Sequence, residues 1–205
     1  MPPELSPEFL DRVRTRLARF QRRAVEDGKL VRAAVAVVLL PNRPGQPSFL
    51  LTRRTATLQR HAGQWALPGG RRDAGESAAA AAVRELWEEL GVPSTRLEQV
   101  GLLDDYVTRS GYAITPVVIV ASSIARLRPN PAEVAAAYRI PIETLTLPGM
   151  PIIGEQDGAV TLRLRILGRY VHPPTAAILH QLAEVVVHGR ETRVDHFAQP
   201  RFTWR

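Results

Sequence analysis

The sequence contains no cysteine and only one lysine, Lys29. Without cysteine the chain has no disulfide bond, no thiolate ligand for a metal and no cysteine nucleophile, which is consistent with a cytoplasmic location. Long apolar runs are also missing, because none approaches the ~20 residues that a transmembrane helix requires. The first residues lack the apolar segment of a secretory signal peptide. We therefore expect a protein without a membrane partner.

Arginine carries nearly all of the positive charge, and the formal net charge is +7. A positive surface raises the local concentration of phosphate-rich ligands. Because an arginine bias alone is weak evidence for nucleic-acid binding, we expect a small-molecule partner and no nucleic acid. The 205 residues and the hydrophobic content of 45% are typical of one domain with its own core. The sequence leaves open whether the chain forms a homodimer.

Residues 70–92 carry the most specific pattern, GRRDAGESAAAAAVRELWEELGV. Apolar residues recur there with a helical period and predict an amphipathic helix from about residue 76 to residue 90. Glu85, Glu88 and Glu89 stand at positions i, i+3 and i+4, so their carboxylates project from one helix face. Like charges at this spacing repel one another, and burial raises their pKa values unless a cation neutralises them.

Carboxylate oxygens favour hard cations, so Glu85, Glu88 and Glu89 predict a site for Mg²⁺ or Mn²⁺. The alternative is an acidic helix face that is merely solvated, which is the usual environment of such side chains. Before the helix, residues 67–70 predict the end of a strand and a sharp turn. Glycine in this turn allows backbone carbonyls to approach the carboxylates closely, which favours the metal site.

The spacing of residues 70–92 resembles the signature of the Nudix hydrolases, G-x5-E-x7-R-E-U-x-E-E-x-G-U, where U is an aliphatic residue. These enzymes cleave a nucleoside diphosphate linked to another moiety. The resemblance implies a mixed α/β (α+β) fold, an α/β/α sandwich with a mixed central sheet and a catalytic loop and helix. It also implies Mg²⁺ or Mn²⁺ as cofactor. The roles it assigns are metal ligation by the Gly70 carbonyl, Glu85, Glu88 and Glu89, and structural roles for Glu76, Arg84 and Gly91.

Residues 50–70, LLTRRTATLQRHAGQWALPGG, resemble a second motif, LLTxRSxxLRxHxGxxxFPGG, which precedes the Nudix signature in coenzyme A pyrophosphatases. Here Thr55, Gln59 and Leu67 replace the serine, arginine and phenylalanine of that motif. The resemblance implies a coenzyme A substrate. Arginine binds phosphate oxygens through paired hydrogen bonds, and coenzyme A carries a diphosphate and a 3′-phosphate. The substrate-binding candidates are Arg54, Arg60 and His61; the alternative is a solvated basic loop.

The sequence leaves two candidates for the catalytic base. Glu85 accepts the proton if metal binding does not use its carboxylate fully. Relatives often supply a glutamate from a later loop, and Glu133 is the matching residue here. Alternatively, Glu133 stabilises the N-terminus of a short helix at residues 131–138 through the helix dipole. A further polar patch that could meet the substrate consists of Asp104, Asp105, Tyr106, Thr108, Ser110 and Tyr112.

The remaining pattern predicts the elements around this motif. We expect an N-terminal amphipathic helix, a buried strand at residues 31–40, strands at 100–108 and 113–120, and a C-terminal helix at 174–187. Gly158 predicts a hairpin, and Pro116 predicts an edge strand or a bulge. The expected organisation is an N-terminal helix within residues 1–28, docked on a Nudix domain at 29–190, and a tail at 191–205.

The sequence therefore predicts divalent-metal-dependent hydrolysis of the diphosphate bond of coenzyme A and its thioesters, giving 3′,5′-ADP and 4′-phosphopantetheine species. An alternative within the same class is a Nudix pyrophosphatase for ADP-ribose, dinucleotides or nucleoside triphosphates. An alternative of another class is a non-catalytic Nudix module that binds nucleotides or RNA. The intact set Glu85, Glu88 and Glu89 favours an enzyme over such a module.

Overall fold

The computed structural model describes residues 4–55, 63–121, 124, 126–156 and 158–200. The described elements, in chain order, are α1 (Pro7–Arg19), β1 (Val31–Arg43), β2 (Gln46–Arg54), β3 (Trp65–Ala66), β4 (Gly69–Arg71), α2 (Ala78–Leu90), β5 (Leu97–Leu102), β6 (Tyr106–Val107), β7 (Tyr112–Ala121), β8 (Val134–Pro141), β9 (Ile152–Gln156), β10 (Ala159–Ile166), β11 (Arg169–Val171) and α3 (Thr175–Leu182). Short 3₁₀ helices occupy Ser94–Arg96 and Ile142–Thr146, and α3 continues as a π-helical turn over Ala183–His188.

The central sheet is mixed, with the strand order β3-β2-β1-β7-β5. Its longest strands, β1 and β7, pair in parallel, and β1 pairs with β2 antiparallel through a tight hairpin. The short strands β4 and β6 pair with β1 and β7, and β8 pairs with β2. Strands β9, β10 and β11 form a separate antiparallel sheet that contains the predicted hairpin at Gly158.

Strand β1 is buried on both faces, which explains its nearly continuous apolar sequence. Ala34, Ala36 and Val38 belong to a core that β1 shares with α2. Val37 and Leu39 belong to the core on the opposite face, which includes α1, α3 and β10. The predicted α/β/α sandwich is therefore confirmed, and its catalytic helix candidate α2 forms one outer layer.

The N-terminal and C-terminal helices pack on the face opposite α2. Helix α1 follows the N-cap Ser6 and ends at Arg19, within the predicted range 1–28, and it buries Phe9, Val13 and Leu17. The C-terminal helix α3 is buried along its whole length, including Ile178 and Leu182. The described part of the tail folds back, since the Tyr106 hydroxyl donates to the Phe197 carbonyl at 2.6 Å. No helix within the described ranges has both the length and the apolar character to cross a membrane.

Two predictions of local structure are wrong. Residues 131–138 form a turn followed by strand β8, because pairing with β2 overrides the helical preference of the alanines at 135–137. Pro116 lies in the interior strand β7, between β1 and β5. On the side of β7 that faces β5, no strand of the described residues pairs with Pro116. Strand β5 ends opposite Val117, and β6 begins opposite Ile114. The proline is thus accommodated by a gap in the adjacent strand.

Candidate active site

The loop before α2 is fastened to the helix by an ion pair between Arg84 and Glu76. The guanidinium donates from Nε to Oε1 and from Nη2 to Oε2 of Glu76, each at 3.0 Å. The same carboxylate accepts from the Asp73 amide at 3.0 Å, and Arg84 also reaches the Arg71 carbonyl at 2.9 Å. These hydrogen bonds, with that from Arg84 first, lower the pKa of Glu76. The pair therefore fixes the path of the loop over the first turns of α2.

Helix α2 is capped at both ends, by Ser77 before its first residue and by Gly91 after its last. It begins at Ala78, two residues later than predicted, because the Ser77 side chain accepts from the Ala80 amide and forms the N-cap. It ends at Gly91, which adopts the left-handed conformation with φ 64°. Capping at both ends fixes the register of the three glutamates relative to the loop.

Gly70 lies directly against the carboxylate of Glu85. A Cβ atom at position 70 would come within 2.2 Å of Glu85 Oε1, which is far inside the van der Waals contact distance. Gly70 is held there by pairing of β4 with β1, opposite Ala34. Glycine therefore allows the backbone and a carboxylate to approach each other, as the metal site predicted from the sequence requires.

The carboxyl group of Glu89 lies inside the protein, with 3% of the residue exposed. It accepts a long hydrogen bond of 3.4 Å from the Gly69 amide. Burial raises its pKa to about 8, and the nearby Glu85 and Glu133 carboxylates add to this rise. Arg54 acts in the opposite direction and lowers the pKa of Glu89. Without further positive charge, Glu89 is therefore protonated over much of the neutral range.

The other two glutamates of the helix are more accessible and share one arginine. Arg84 Nη1 donates to Glu85 Oε1 and to Glu88 Oε2, each at 3.0 Å. Burial raises the pKa of Glu85, with repulsion from Glu88 and Glu133 contributing. The side chain of Glu88 is 50% exposed. The three carboxylates thus differ in exposure, although they follow one helix face. The hydrogen bonds from Arg84 to Glu85 and Glu88 are contacts that the sequence did not reveal.

Arg54 comes to this helix from strand β2, and Glu133 comes from the turn that precedes β8. Arg54 pairs with Val134, and the Thr55 amide donates to the Glu133 carbonyl at 3.0 Å. Both side chains are close enough to Glu89 to change its pKa. The Nε atom of Arg54 is buried and, within the described part of the chain, has no hydrogen-bond partner. This guanidinium therefore has donor capacity next to the carboxylate cluster.

Two of the remaining candidates, Asp104 and Asp105, have partners away from this cluster. Arg60 and His61 lie outside the described residues. In the polar patch at residues 104–112, Asp105 is buried and accepts from Arg22 at 2.6 Å and from the Val25 amide at 2.9 Å. Asp104 is also buried and binds Arg193. These two aspartates hold the segments that follow α1 and α3, which gives them a structural role in the fold.

The donor set fits a hard divalent cation. Glu85 and Glu89 are carboxylates with pKa values raised by burial, and cations stabilise their ionised forms. Oxygen ligands of this kind suit Mg²⁺ and Mn²⁺. Within the described ranges, no three His, Asp or Glu side chains are already gathered around one point where a metal would bind. Arg84 bonds Oε1 of Glu85 and Oε2 of Glu88, so a cation could use the second oxygen of each carboxylate while the Arg84 contact is kept.

A mixed sheet between helical layers, with a braced glycine loop leading into a glutamate-rich helix, defines a hydrolase of the Nudix type. The chain belongs to the Nudix family, since the model of the NUDIX domain matches residues 30–156. Enzymes of this family act on small-molecule diphosphates with divalent metal ions. The predicted membership is confirmed, and the match covers β1 to β9 but not β10, β11 or α3.

Relatives and solved structures agree with this family. The chain is similar to a protein of Photorhabdus laumondii named "Uncharacterized Nudix hydrolase NudL", with 32% identity over 184 residues that cover 87% of this chain and 96% of the relative. A protein of the same name from Escherichia coli K12 is 42% identical over 110 residues, covering 52% of this chain and 57% of the relative. Among solved structures, the Nudix hydrolase RenU of M. smegmatis superimposes with a TM-score of 0.53 at 25% identity, covering 76% of this chain and 85% of that one.

Proposed function

We propose that the protein hydrolyses the diphosphate bond of coenzyme A and its thioesters, giving 3′,5′-ADP and 4′-phosphopantetheine species. The observation that carries this proposal is the position of Arg54 beside Glu89 and Glu133. Arg54 belongs to the motif that resembles coenzyme A pyrophosphatases, whereas Glu89 belongs to the Nudix signature. The two motifs therefore contribute to one site, which is expected if the first motif binds the diphosphate that the second one cleaves.

In this proposal the Gly70 carbonyl, Glu85, Glu88 and Glu89 hold Mg²⁺ or Mn²⁺. A cation held there would neutralise charge on the diphosphate oxygens and lower the pKa of a bound water. Arg54 offers its guanidinium to the diphosphate, because charge-assisted hydrogen bonds to phosphate are strong and its buried Nε has no hydrogen-bond partner among the described residues. At this position it contacts the part of the substrate that all Nudix diphosphates share, so selection of the 3′-phosphate requires other groups.

Glu133 is the better candidate for the base. Glu85 Oε1 accepts a hydrogen bond from Arg84 and the Glu85 carboxylate lies against Gly70, which suits a ligand or an anchored group. Glu133 approaches the same cluster from the turn before β8 and is half-buried. It takes a proton from the attacking water as the new P–O bond forms. The bridging P–O bond breaks, and the leaving phosphate retains the electron pair. The cytoplasmic location and the homodimer stay predictions.

Product identification tests this proposal. The purified protein is incubated with coenzyme A and Mg²⁺ or Mn²⁺, and the products are separated and weighed by mass spectrometry. We expect 3′,5′-ADP and 4′-phosphopantetheine, with no turnover in a chelator. Glu88→Gln keeps the shape of an exposed ligand and should lower turnover by orders of magnitude with the fold retained, because a metal clamp contributes several kcal/mol and ~1.4 kcal/mol is a factor of ten. Intact coenzyme A after incubation, alongside cleaved ADP-ribose or a nucleoside triphosphate, would assign the alternative Nudix substrate.

A further inference from the structure

A groove of about 420 Å³ lies beside the active-site strands, on the edge formed by β3 and β11. One wall is the stretch Gly63, Gln64 and Trp65, and the other is formed by residues 169–175. Thr175 closes its base, since its hydroxyl donates to the Trp65 carbonyl at 3.5 Å. The volume is within the range of small-molecule sites.

The groove is connected to the candidate active site through backbone pairing. The Arg54 amide donates to the Gln64 carbonyl at 2.9 Å, and Trp65 pairs with Arg53 in the β2–β3 ladder. One wall of the groove is therefore bonded directly to the residue that places its guanidinium beside Glu89. Trp65 packs against the core on the face opposite α2, so a substrate whose diphosphate lies at Arg54 would pass around the end of β3 to enter the groove.

The walls of the groove combine aromatic rings with positive charge. Trp65 is half-buried, and its ring centroid lies 5.2 Å from that of Tyr138. Tyr170 is 48% exposed. The Arg163 guanidinium stacks on Tyr170 at 4.5 Å, and Arg169 is an exposed lining residue. The described lining residues include no aspartate and no glutamate. Such a surface favours a ligand that has a planar ring and a negative charge.

His172 adds a polar group to the same wall. Burial, with a smaller contribution from Arg163, lowers the pKa of its imidazole, so the ring is neutral at pH 7. A neutral imidazole has one donor and one acceptor nitrogen, which suits hydrogen bonding to a ribose or a base edge. The wall at 169–175 also lies beyond residues 30–156, the part matched by the family model. It therefore lies outside the part of the chain that the family model matches.

We propose that this groove binds the 3′-phosphorylated adenosine half of the substrate, with Arg169 on the 3′-phosphate and Tyr170 or Trp65 against the adenine. The inference rests on the proposed coenzyme A activity and names the groups that recognise one half of that substrate. The pantetheine half is uncharged beyond its phosphate, so it leaves the positive charge of this wall without a partner. Charge complementarity therefore assigns the nucleotide half to the groove.

Calorimetric binding to the full-length protein in a chelator tests the proposal, with 3′,5′-ADP, 5′-AMP and 4′-phosphopantetheine as probes. We expect the wild type to bind 3′,5′-ADP roughly tenfold or more tightly than 5′-AMP, as a charge-assisted phosphate contact allows. Arg169→Gln should reduce this ratio to near one and leave 5′-AMP binding almost unchanged. Tyr170→Ala should weaken both nucleotides by roughly fivefold or more, as lost base stacking does. Arg96→Gln removes an exposed arginine elsewhere and should match the wild type.

An unchanged 3′,5′-ADP to 5′-AMP ratio in Arg169→Gln overturns the proposal. The proposal is also overturned by a second result, in which 4′-phosphopantetheine competes with 3′,5′-ADP and binds more weakly to Tyr170→Ala than to the wild type. The pantetheine half of the substrate would then occupy the groove. Coenzyme A hydrolysis by the same wild-type preparation is measured in parallel. Hydrolysis together with a failed binding test rejects the groove alone, whereas absent hydrolysis rejects the proposed function and leaves the binding ratio to decide the groove.

Discussion

The Glu89 carboxyl is the residue whose environment departs furthest from that of an ordinary surface glutamate. It is buried at the contact between α2 and β4, and its pKa is raised to about 8. A buried carboxylate of this kind is costly when ionised and unpaired. A cation nearby reverses this cost, since it stabilises the ionised form. The residue thus links metal binding, pH and stability.

This link predicts a pH-dependent stability of the metal-free protein. The unfolded chain loses the Glu89 proton near the ordinary pKa of 4.5, whereas the folded protein keeps it up to about 8. Between these values the folded state binds more protons, so this group makes stability fall as the pH rises. Glu89→Gln removes the effect. In denaturant unfolding with a chelator, we expect the variant to exceed the wild type by about 1–3 kcal/mol at pH 8 and by little at pH 5.

Glu88→Gln provides the matched control for this measurement, because Glu88 is on the same helix but exposed. Its stability should stay within about 0.5 kcal/mol of the wild type at both pH values. Equal pH dependence of the wild type and Glu89→Gln would show that the Glu89 proton does not differ between the folded and unfolded states.

Glu133→Gln tests the assignment of the base. If Glu133 accepts the proton, the maximal rate should fall by about 10²–10⁴ and the alkaline-directed rise of the pH–rate profile should flatten. Mn²⁺ affinity, measured by titration, should change little. Glu143→Gln is the control, since Glu143 is an exposed glutamate that follows the same strand β8. A maximal rate equal to that of the wild type would return the role of base to Glu85.

For single residues, the sequence predicts which glutamates share a helix face but not how deeply each of them is buried. The spacing of Glu85, Glu88 and Glu89 indicates one helix face, and the structure has that helix. The unequal exposure of the three depends on the β4 segment that covers Glu89, which spacing on a helix does not encode. The approach of Arg54 to Glu89 was equally hidden, because it requires the pairing of distant strands.

At the scale of elements, α2 and the loop before it function as one unit. The loop is held by the Arg84–Glu76 pair, and β4 places Gly70 against Glu85. Gly70→Ala should therefore push the Glu85 carboxylate away, because the added Cβ would lie 2.2 Å from its oxygen. We expect turnover to fall by roughly tenfold or more, since small misplacements of catalytic groups have effects of this size or larger. Mn²⁺ titration should show weaker binding.

Gly154→Ala is the control for Gly70→Ala. Gly154 lies in β9, where an added Cβ would meet no atom within 4 Å. Its activity should match the wild type. If Gly70→Ala retained both full turnover and full Mn²⁺ affinity, the close approach of Gly70 and Glu85 would have no role in the reaction.

Helix α1 is predicted to stabilise the fold through the face opposite α2. Leu17 is 5% exposed and packs on the backbone of β5, where it touches the open side of Gly101. Leu17→Ala should lower the free energy of unfolding by about 2–5 kcal/mol, the usual cost of this core truncation. Arg19→Ala, an exposed change in the last turn, should cost about 0.5 kcal/mol or less. Equal denaturation midpoints for the two variants would contradict the docking of α1.

Element prediction succeeded where the local pattern and the tertiary environment agree. The apolar run of β1, the hairpin at Gly158 and the inward face of α3 all follow from periodicity and turn residues. It failed at β8, where alanines favour a helix but a free edge of β2 requires a strand. It failed again at Pro116, because only the sheet topology shows that the neighbouring strand is interrupted there.

For the whole molecule, the two sequence motifs meet at Arg54 and Glu89, and the C-terminal sheet lies on the other face of the central sheet, beside β3. The Nudix signature provides the acidic helix, the upstream motif provides Arg54, and β11 provides a wall of the groove at β3. The net charge of +7 favours an anionic substrate. Recognition of both the diphosphate and a distant phosphate would explain a preference for coenzyme A over smaller diphosphates.

Catalytic efficiency toward coenzyme A, measured with Mg²⁺ and with Mn²⁺ beside dephospho-coenzyme A and ADP-ribose, tests the proposed activity most directly. Only coenzyme A carries the 3′-phosphate. A charge-assisted phosphate contact contributes about 1.5–3 kcal/mol, so we predict a kcat/KM for coenzyme A at least roughly tenfold above those of the other two substrates. A higher kcat/KM for ADP-ribose, or for a nucleoside triphosphate, than for any coenzyme A species would contradict the proposed substrate.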